Sequence, residues 1–279
     1  MYKLRCERMR MRDFERDVES QVRKFYDAEG WVTGKDNKTQ EDRYFRDFSK
    51  SRGTYNERIN RRTASHFDGL NGILLIAGSG DLPESHMLAA EKFEKVICVD
   101  ISWRALEINK RKLGPKGEYQ EISILDIPLR DQSVDAVLCA HVLYHIDRKN
   151  QEKAVRELIR VTKPQGRIVI LYLNPNAPLN LIQRFLKFFW INKILGKAKL
   201  YIYSYSLSWW LQFGDLCTVR ILPHDVMSTN QMRVLMPGNA LGKRFFNWAA
   251  QFEDRNPKLA IRLWSYPTIV LEKFPKTDR

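Results

Sequence analysis

The stretch ILLIAGSGDL, Ile73–Leu82, decides how the rest of the chain is read. Four branched aliphatic residues in a row, Ile73 to Ile76, suit a central parallel strand covered on both faces. Gly78-Ser79-Gly80 then ends the apolar run abruptly. Two glycines two apart let the backbone turn sharply and come close to a ligand. Asp81-Leu82-Pro83-Glu84 has the pattern of a helix start, with Asp81 as cap, Pro83 in the first turn and Glu84 three residues on. The stretch predicts strand, glycine turn and helix, the opening of a nucleotide-binding βαβ unit. A buried strand before any tight turn would look the same, so the neighbouring segments must decide.

They repeat the unit. Val96–Val99 is a second apolar run ending in Asp100, twenty residues beyond Gly80, where a ribose-binding carboxylate is expected after the second strand. Ile101–Leu113 has helical spacing in Ala105, Leu106 and Ile108 and stops at Gly114-Pro115. A third strand is expected around Tyr119–Ile124, followed by Asp126-Ile127-Pro128, and a fourth at Val134–Ala140, followed by His141-Val142-Leu143-Tyr144-His145. Gln151–Val161 reads as a helix that Lys163-Pro164-Gln165-Gly166 ends, and Arg167–Leu173 as a fifth strand. Strands alternating with helices over a hundred residues predict an α/β fold, a doubly wound parallel sheet.

IAGSGDL, VICVDIS, ILDIPLRDQSVDAVLCAHVLYHI and RVTKPQGRIVI, in that order and spacing, resemble the class I S-adenosylmethionine-dependent methyltransferases, within them the type 11 small-molecule group. The resemblance covers Gly69–Leu173. It implies a mostly parallel seven-stranded sheet whose last strand is antiparallel, with S-adenosylmethionine over the carboxyl ends of strands one to four. Carried over by position, Gly78 and Gly80, with Ser79 between them, approach the methionine part. Asp100 binds the ribose hydroxyls and Asp126 faces the adenine amino group, with Ile101 and Ile127 flanking the ring. Ala140 and His141 line the site near the sulfonium. Residues 1–68 then form an N-terminal helical lid, 69–174 the cofactor-binding core, and 175–279 substrate-side helical insertions with the last two strands.

Two positions depart from the family pattern. Ile76 stands where an acid usually closes the first strand, and Leu82 where a third glycine is usual. Asp81 either substitutes for the missing acid or caps the helix. The departures also motivate a rival from another class, a cofactor-binding but inactive partner or membrane-docked subunit. A nicotinamide dehydrogenase shares glycines followed by an acid, but the missing third glycine and the Asp126-Ile127-Pro128 element stand against it. A metal site finds no support, since Cys6, Cys98, Cys139 and Cys217 form no C-x-x-C pair. No apolar run reaches transmembrane length and none near the start resembles a signal peptide, so a cytoplasmic enzyme is expected. The net charge of +14 predicts attraction to anions without naming them.

The flanks suggest how an acceptor is reached. In the first seventy residues Tyr26, Trp31 and Tyr55 could cover the cofactor or substrate, and Arg58 could reach a carboxylate; the alternative is a helical layer packed on the sheet edge. From Leu158 to Gly214 there is no acid, while eight lysines and arginines lie between Arg160 and Lys199. A helix with Leu181, Ile182, Phe185, Leu186, Phe189 and Trp190 on one face and Arg184 and Lys187 opposite could lie against an anionic membrane, roof an apolar pocket, or simply pack. Tyr203, Tyr205, Trp209 and Trp210 read either as a pocket wall or as core. The expected function is methyl transfer to a small-molecule or lipid-like acceptor, with nucleic acid disfavoured. In-line displacement needs mostly alignment and water exclusion, and a base only when the acceptor carries a proton. Of the residues after strand four, where the family binds acceptors, His145 is the first choice of base, with Tyr144 and His141 beside it.

Overall fold

Alternation along β1 (Ile73–Ala77) builds the centre of the molecule. Leu75 and Ala77 point into one apolar core and Leu74 and Ile76 into another, on opposite faces of the sheet. The same two-faced burial repeats in β2 (Lys95–Asp100), β4 (Val134–Ala140) and β5 (Thr162–Leu171). It places Cys98 and Cys139 as buried thiols. With β3 (Gly117–Glu121), β6 (Cys217–Asp225) and β7 (Tyr266–Lys273) the sheet has the order β3-β2-β1-β4-β5-β7-β6. β1 to β5 are parallel, and β7 runs antiparallel between β5 and β6. This is the seven-stranded arrangement that the resemblance implies. The coordinates are a computed structural model, which describes residues 18–31, 49–186, 200–236, 238 and 240–275.

Helices cover both faces. A helix over 18–25 (α1) runs into a π-helical turn at Tyr26–Gly30, followed by α2 (Ser49–Ser65), α3 (Glu84–Ala90), α4 (Trp103–Leu113) and α5 (Gln151–Val161). Beyond β5 come α6 (Pro178–Leu186), α7 (Thr229–Leu235), α8 (Ala240–Arg255) and α9 (Pro257–Leu263). Ala154, Val155 and Leu158 of α5 seal one core; Ala89, Ala90 and Leu106 help seal the other. A third core lies under a cap made by α2, α7, α8 and α9 and contains Tyr55, Ile59, Met227, Met232, Phe246 and Trp264. At its heart Glu253, 2% exposed, accepts hydrogen bonds from Tyr55 Oη (2.5 Å), Trp264 Nε1 (2.7 Å) and Arg62 Nη1 (2.8 Å). The Tyr55 hydroxyl is held well above its usual pKa by burial and then by the neighbouring Asp225 and Glu253 carboxylates.

Several expectations change here. The third strand ends at Glu121 because Ser123 Oγ accepts from Leu125 N and turns the chain. Lys163–Gly166 does not precede the fifth strand but bulges within it: Val134 pairs with Thr162 and Ala136 with Arg167. Asp81 is not the cap of α3, whose N-cap is Pro83 without a side-chain hydrogen bond. Tyr55 is core, and Arg58 pairs with Asp254 and Glu253 of α8. Trp210 and Phe213 are buried in the sheet core with Trp209 packed on it, so the tryptophans of the aromatic run belong to that core. Of the basic amphipathic segment only α6 is described; Lys187, Phe189 and Trp190 fall outside the described residues, and Phe185 and Leu186 outside the described side chains. Among the described residues no helix is long and apolar enough to cross a membrane.

Candidate functional site

A cavity of about 710 Å³ opens over the carboxyl ends of β1, β2 and β4, where ligands bind in open parallel sheets. Its floor is the glycine turn. Gly78 N and Ser79 N both donate to Val99 O, at 2.8 and 3.0 Å, which locks the turn onto β2. Gly78 and Gly80 have φ of +67° and +55°. A Cβ at Gly78 would collide with Val142, and one at Gly80 would lie 2.9 Å from Trp31. Only glycine serves at either position. Leu82, at the place of the usual third glycine, keeps a left-handed φ of 52° and is fully buried. Lys112 Nζ donates to its carbonyl (3.1 Å) and to that of Asp81, so the turn keeps its shape without the glycine.

Asp100 ends β2 at the cavity wall. Its Oδ2 accepts from Gly80 N and its Oδ1 from Ser102 N, both at 2.9 Å. Burial nevertheless pushes its pKa up to about 6, against the pull of those backbone donors. Asp27 adds to the rise, and it accepts from Ser102 Oγ at 2.5 Å. Tyr26 and Trp31 stack with ring centres 5.2 Å apart and line the opposite wall. Trp31 Nε1 is buried without a partner.

Past β4, His141 takes φ 62° and the chain makes a short 3₁₀ turn, Leu143–His145. His145 Nδ1 lies 2.8 Å from the Tyr201 carbonyl, which only accepts, so Nδ1 carries the proton. Nε2 therefore accepts from Tyr26 Oη at 3.2 Å. One imidazole thus ties the N-terminal segment, the loop after β4 and the chain after residue 200. Burial lowers His145 to a pKa of about 4, partly offset by the Tyr201 bond, so the ring is neutral. Burial likewise lowers His141 to about 4 and His86 to about 3.

Of the positions expected at the site, Gly78, Ser79, Gly80, Asp100, Ile101, Ala140, His141, Tyr144 and His145 all line this cavity, as do Tyr26 and Trp31. Asp126 and Ile127 do not. Ile127 is core, its N–H donating to Glu157, and Asp126 is exposed beside it. Because β3 ends early, Ile124 reaches the wall in their place. His145 also differs from the expectation, since the lone pair with which it would act as a base is already directed at Tyr26. His86 and Arg52 also line the cavity, as do His224 and Asp225 at the end of β6. Among the described residues no cluster suits a metal ion.

Residues 75–170 match a family model described as a methyltransferase domain. A ubiquinone/menaquinone biosynthesis C-methyltransferase UbiE of Francisella tularensis subsp. novicida is 33% identical over 117 residues, 40% of this chain and 46% of its own. An uncharacterized methyltransferase-like protein of Schizosaccharomyces pombe is 28% identical over 127 residues, 46% of each chain. The chain thus spans about half the length of the curated relatives it matches. Geranyl diphosphate C-methyltransferase from Streptomyces coelicolor A3(2) shares the fold with a TM-score of 0.54 at 15% identity, over 79% of this chain and 80% of that one. The methyltransferase crystallised with the Haloferax volcanii Trm112 activator does so with a TM-score of 0.57 at 15% identity, over 92% of this chain and all of that chain. In its glycine turn, its strand order and the methyltransferase-domain match over residues 75–170, the core of the chain is similar to the class I S-adenosylmethionine-dependent methyltransferases.

Proposed function

We propose that the protein transfers a methyl group from S-adenosylmethionine to a small-molecule or lipid-like acceptor. The observation that carries this reading is the glycine turn locked under Trp31 with the Asp100 carboxylate at its side, which leaves a cavity for both reactants. The residues fit the cofactor. A Cβ at Gly78 or Gly80 would fill the cradle, and the Trp31 indole N–H is a buried donor in need of an acceptor. Gly78–Gly80 would hold the methionine part, Asp100 the ribose hydroxyls, and Ile101 and Ile124 the adenine ring. Asp81, a cavity residue, stands in for the acid absent at Ile76, which is core. When bound, the cofactor supplies an electrophilic methyl group on a sulfonium. The stacked Tyr26–Trp31 pair excludes water, and His145 orients the Tyr26 hydroxyl. Ala140, His141 and Tyr144 form the acceptor side.

Two measurements test the reading. Calorimetry should detect S-adenosylmethionine binding, and labelled methyl should move onto a metabolite extract of the source cells. Binding without transfer would favour the inactive-partner reading, and NADH binding in place of S-adenosylmethionine would remove the cofactor assignment.

A peripheral contact with anionic membrane is a second reading, supported by Ile182 and Leu181 of α6, 54% and 37% exposed, with Arg184 also exposed. Each surface cation near such a bilayer contributes about 1 kcal/mol, so docking should be reversible by salt. Sedimentation with anionic liposomes at low salt, weakened in Arg184→Glu, is the expected result. A wild-type protein that ignores them makes α6 a pocket or packing helix.

A further inference from the structure

The cavity has a second character away from the glycine turn. His86 in α3, His141 after β4 and His224 in β6 line it with ring nitrogens that meet no protein partner: both of His86, and Nδ1 of His141 and of His224. His86 is 6% and His224 3% exposed. A buried nitrogen left unpaired is costly, so such sites are completed by ligand or water. His141 is the hub, because its charge would be felt at both of the other rings. Protonating one ring therefore penalises the next, and burial keeps all three neutral. A neutral imidazole presents one lone pair, able to accept a hydrogen bond.

The cavity lining is mostly acidic, although Lys112 is felt at His86 and Arg62 and Arg52 at His224. The described lining residues carry six carboxylates, Glu19, Glu57, Asp81, Glu84, Asp100 and Asp225, against a single guanidinium, Arg52. Arg52 is largely committed, with Nη2 2.5 Å from Asp225 Oδ2 and Nη1 2.8 Å from Met232 Sδ. Its Nε alone has no partner. A chain of net charge +14 thus lines its cavity, among the described residues, with acids. That field favours a cation and opposes a carboxylate or diphosphate.

We infer that this end of the cavity is a subsite for an amine acceptor, held as its ammonium by His86, His141 and His224 within the carboxylate wall. The inference rests on the methyl-transfer reading above and narrows its acceptor. The ammonium donates N–H bonds to the free lone pairs. One N–H bond then breaks, its electron pair stays on the amine nitrogen, and the proton leaves to bulk water, since burial holds the three rings unprotonated. The neutral rings accept the remaining N–H bonds, and the pair left on nitrogen makes the amine nucleophilic. His145 does not join them, since its lone pair faces Tyr26.

The test uses the full chain with isotope-labelled imidazoles, whose nitrogen resonances are few because the chain has five histidines. Benzylamine, benzoate and phenyl phosphate, similar in shape and different in charge, are titrated with and without S-adenosylhomocysteine. The expected result is that benzylamine moves the ring signals of His86, His141 and His224 and that the anions do not. His224→Gln should weaken benzylamine by about two- to tenfold, the loss of one hydrogen bond. His66→Gln, outside the cavity, is the control. A response to either anion, or to none of the three, overturns the subsite. If S-adenosylhomocysteine does not bind, the methyl-transfer reading fails separately, and the benzylamine titration without it still decides the subsite.

Discussion

The cores that clamp the sheet and the core beneath the cap are held together by different means. Those on the sheet are almost wholly apolar, built from Leu, Ile, Val and Ala that alternate along strands. The cap core is organised around a buried carboxylate, Glu253, with Tyr55, Arg62 and Trp264 pointing at it, and Arg52 pairs with Asp225 close by. Hydrophobic burial tolerates rearrangement, whereas a buried charge is stable only while every partner stays in place. The sheet should therefore survive insults that undo the cap, and with it one wall of the cavity.

Glu253→Ala is the strongest way to break the comparison. It leaves Arg62 and two buried donors uncompensated, and the expected loss is about 3–5 kcal/mol in urea unfolding. A Glu253→Leu variant as stable as wild type would show that the two kinds of core do not differ. Acid should separate them next. His86, His141 and His145 have pKa values lowered to about 3, 4 and 4, so between these values and about 6.5 the unfolded chain binds more protons. Stability then falls as pH drops below about 6.5, by at most about 3–5 kcal/mol for each ring. Asp100, raised to about 6, opposes this: its contribution is fully present below about 4 and is lost as pH rises through about 6. Thermal melts across this range should show a net acid loss that His86→Gln reduces; a flat profile would sink the idea.

Asp100→Ala should weaken S-adenosylhomocysteine binding by about 1–3 kcal/mol in calorimetry, through lost charge-assisted hydrogen bonds. Unchanged affinity in a folded variant would remove the ribose assignment. The smallest effect is expected in the sheet. Gln165, exposed in the bulge of β5 with φ 62°, should become more stable as glycine by up to about 1 kcal/mol. A loss of stability there would mean that the side chain holds the bulge.

How much was legible follows the same division. Ile73–Ile76, Val96–Val99 and Val134–Ala140 are strands whose ends, and whose attached site residues, follow from local pattern alone. Asp126 and Ile127 fall outside the cavity lining, beyond a serine turn that follows β3, a side-chain event that strand periodicity does not register. Tyr55 and Arg58 resembled lid residues until α8, two hundred residues away, supplied their partners. His86 and His224 carry no local signal, since a histidine in a helix or strand reveals nothing about which cavity it will meet. Contacts between distant segments made that half of the site, and pattern reading is blind to them.

The position of β7 has a consequence for biosynthesis. β6 pairs in the sheet only with β7, and β7 is made later. While a ribosome has produced the parallel strands and β6, the segment carrying His224 and Asp225 has no ladder to join. The acceptor wall can therefore form only once residues up to Lys273 have been made, and a chain cut before Tyr266 should have the glycine turn but lack that wall.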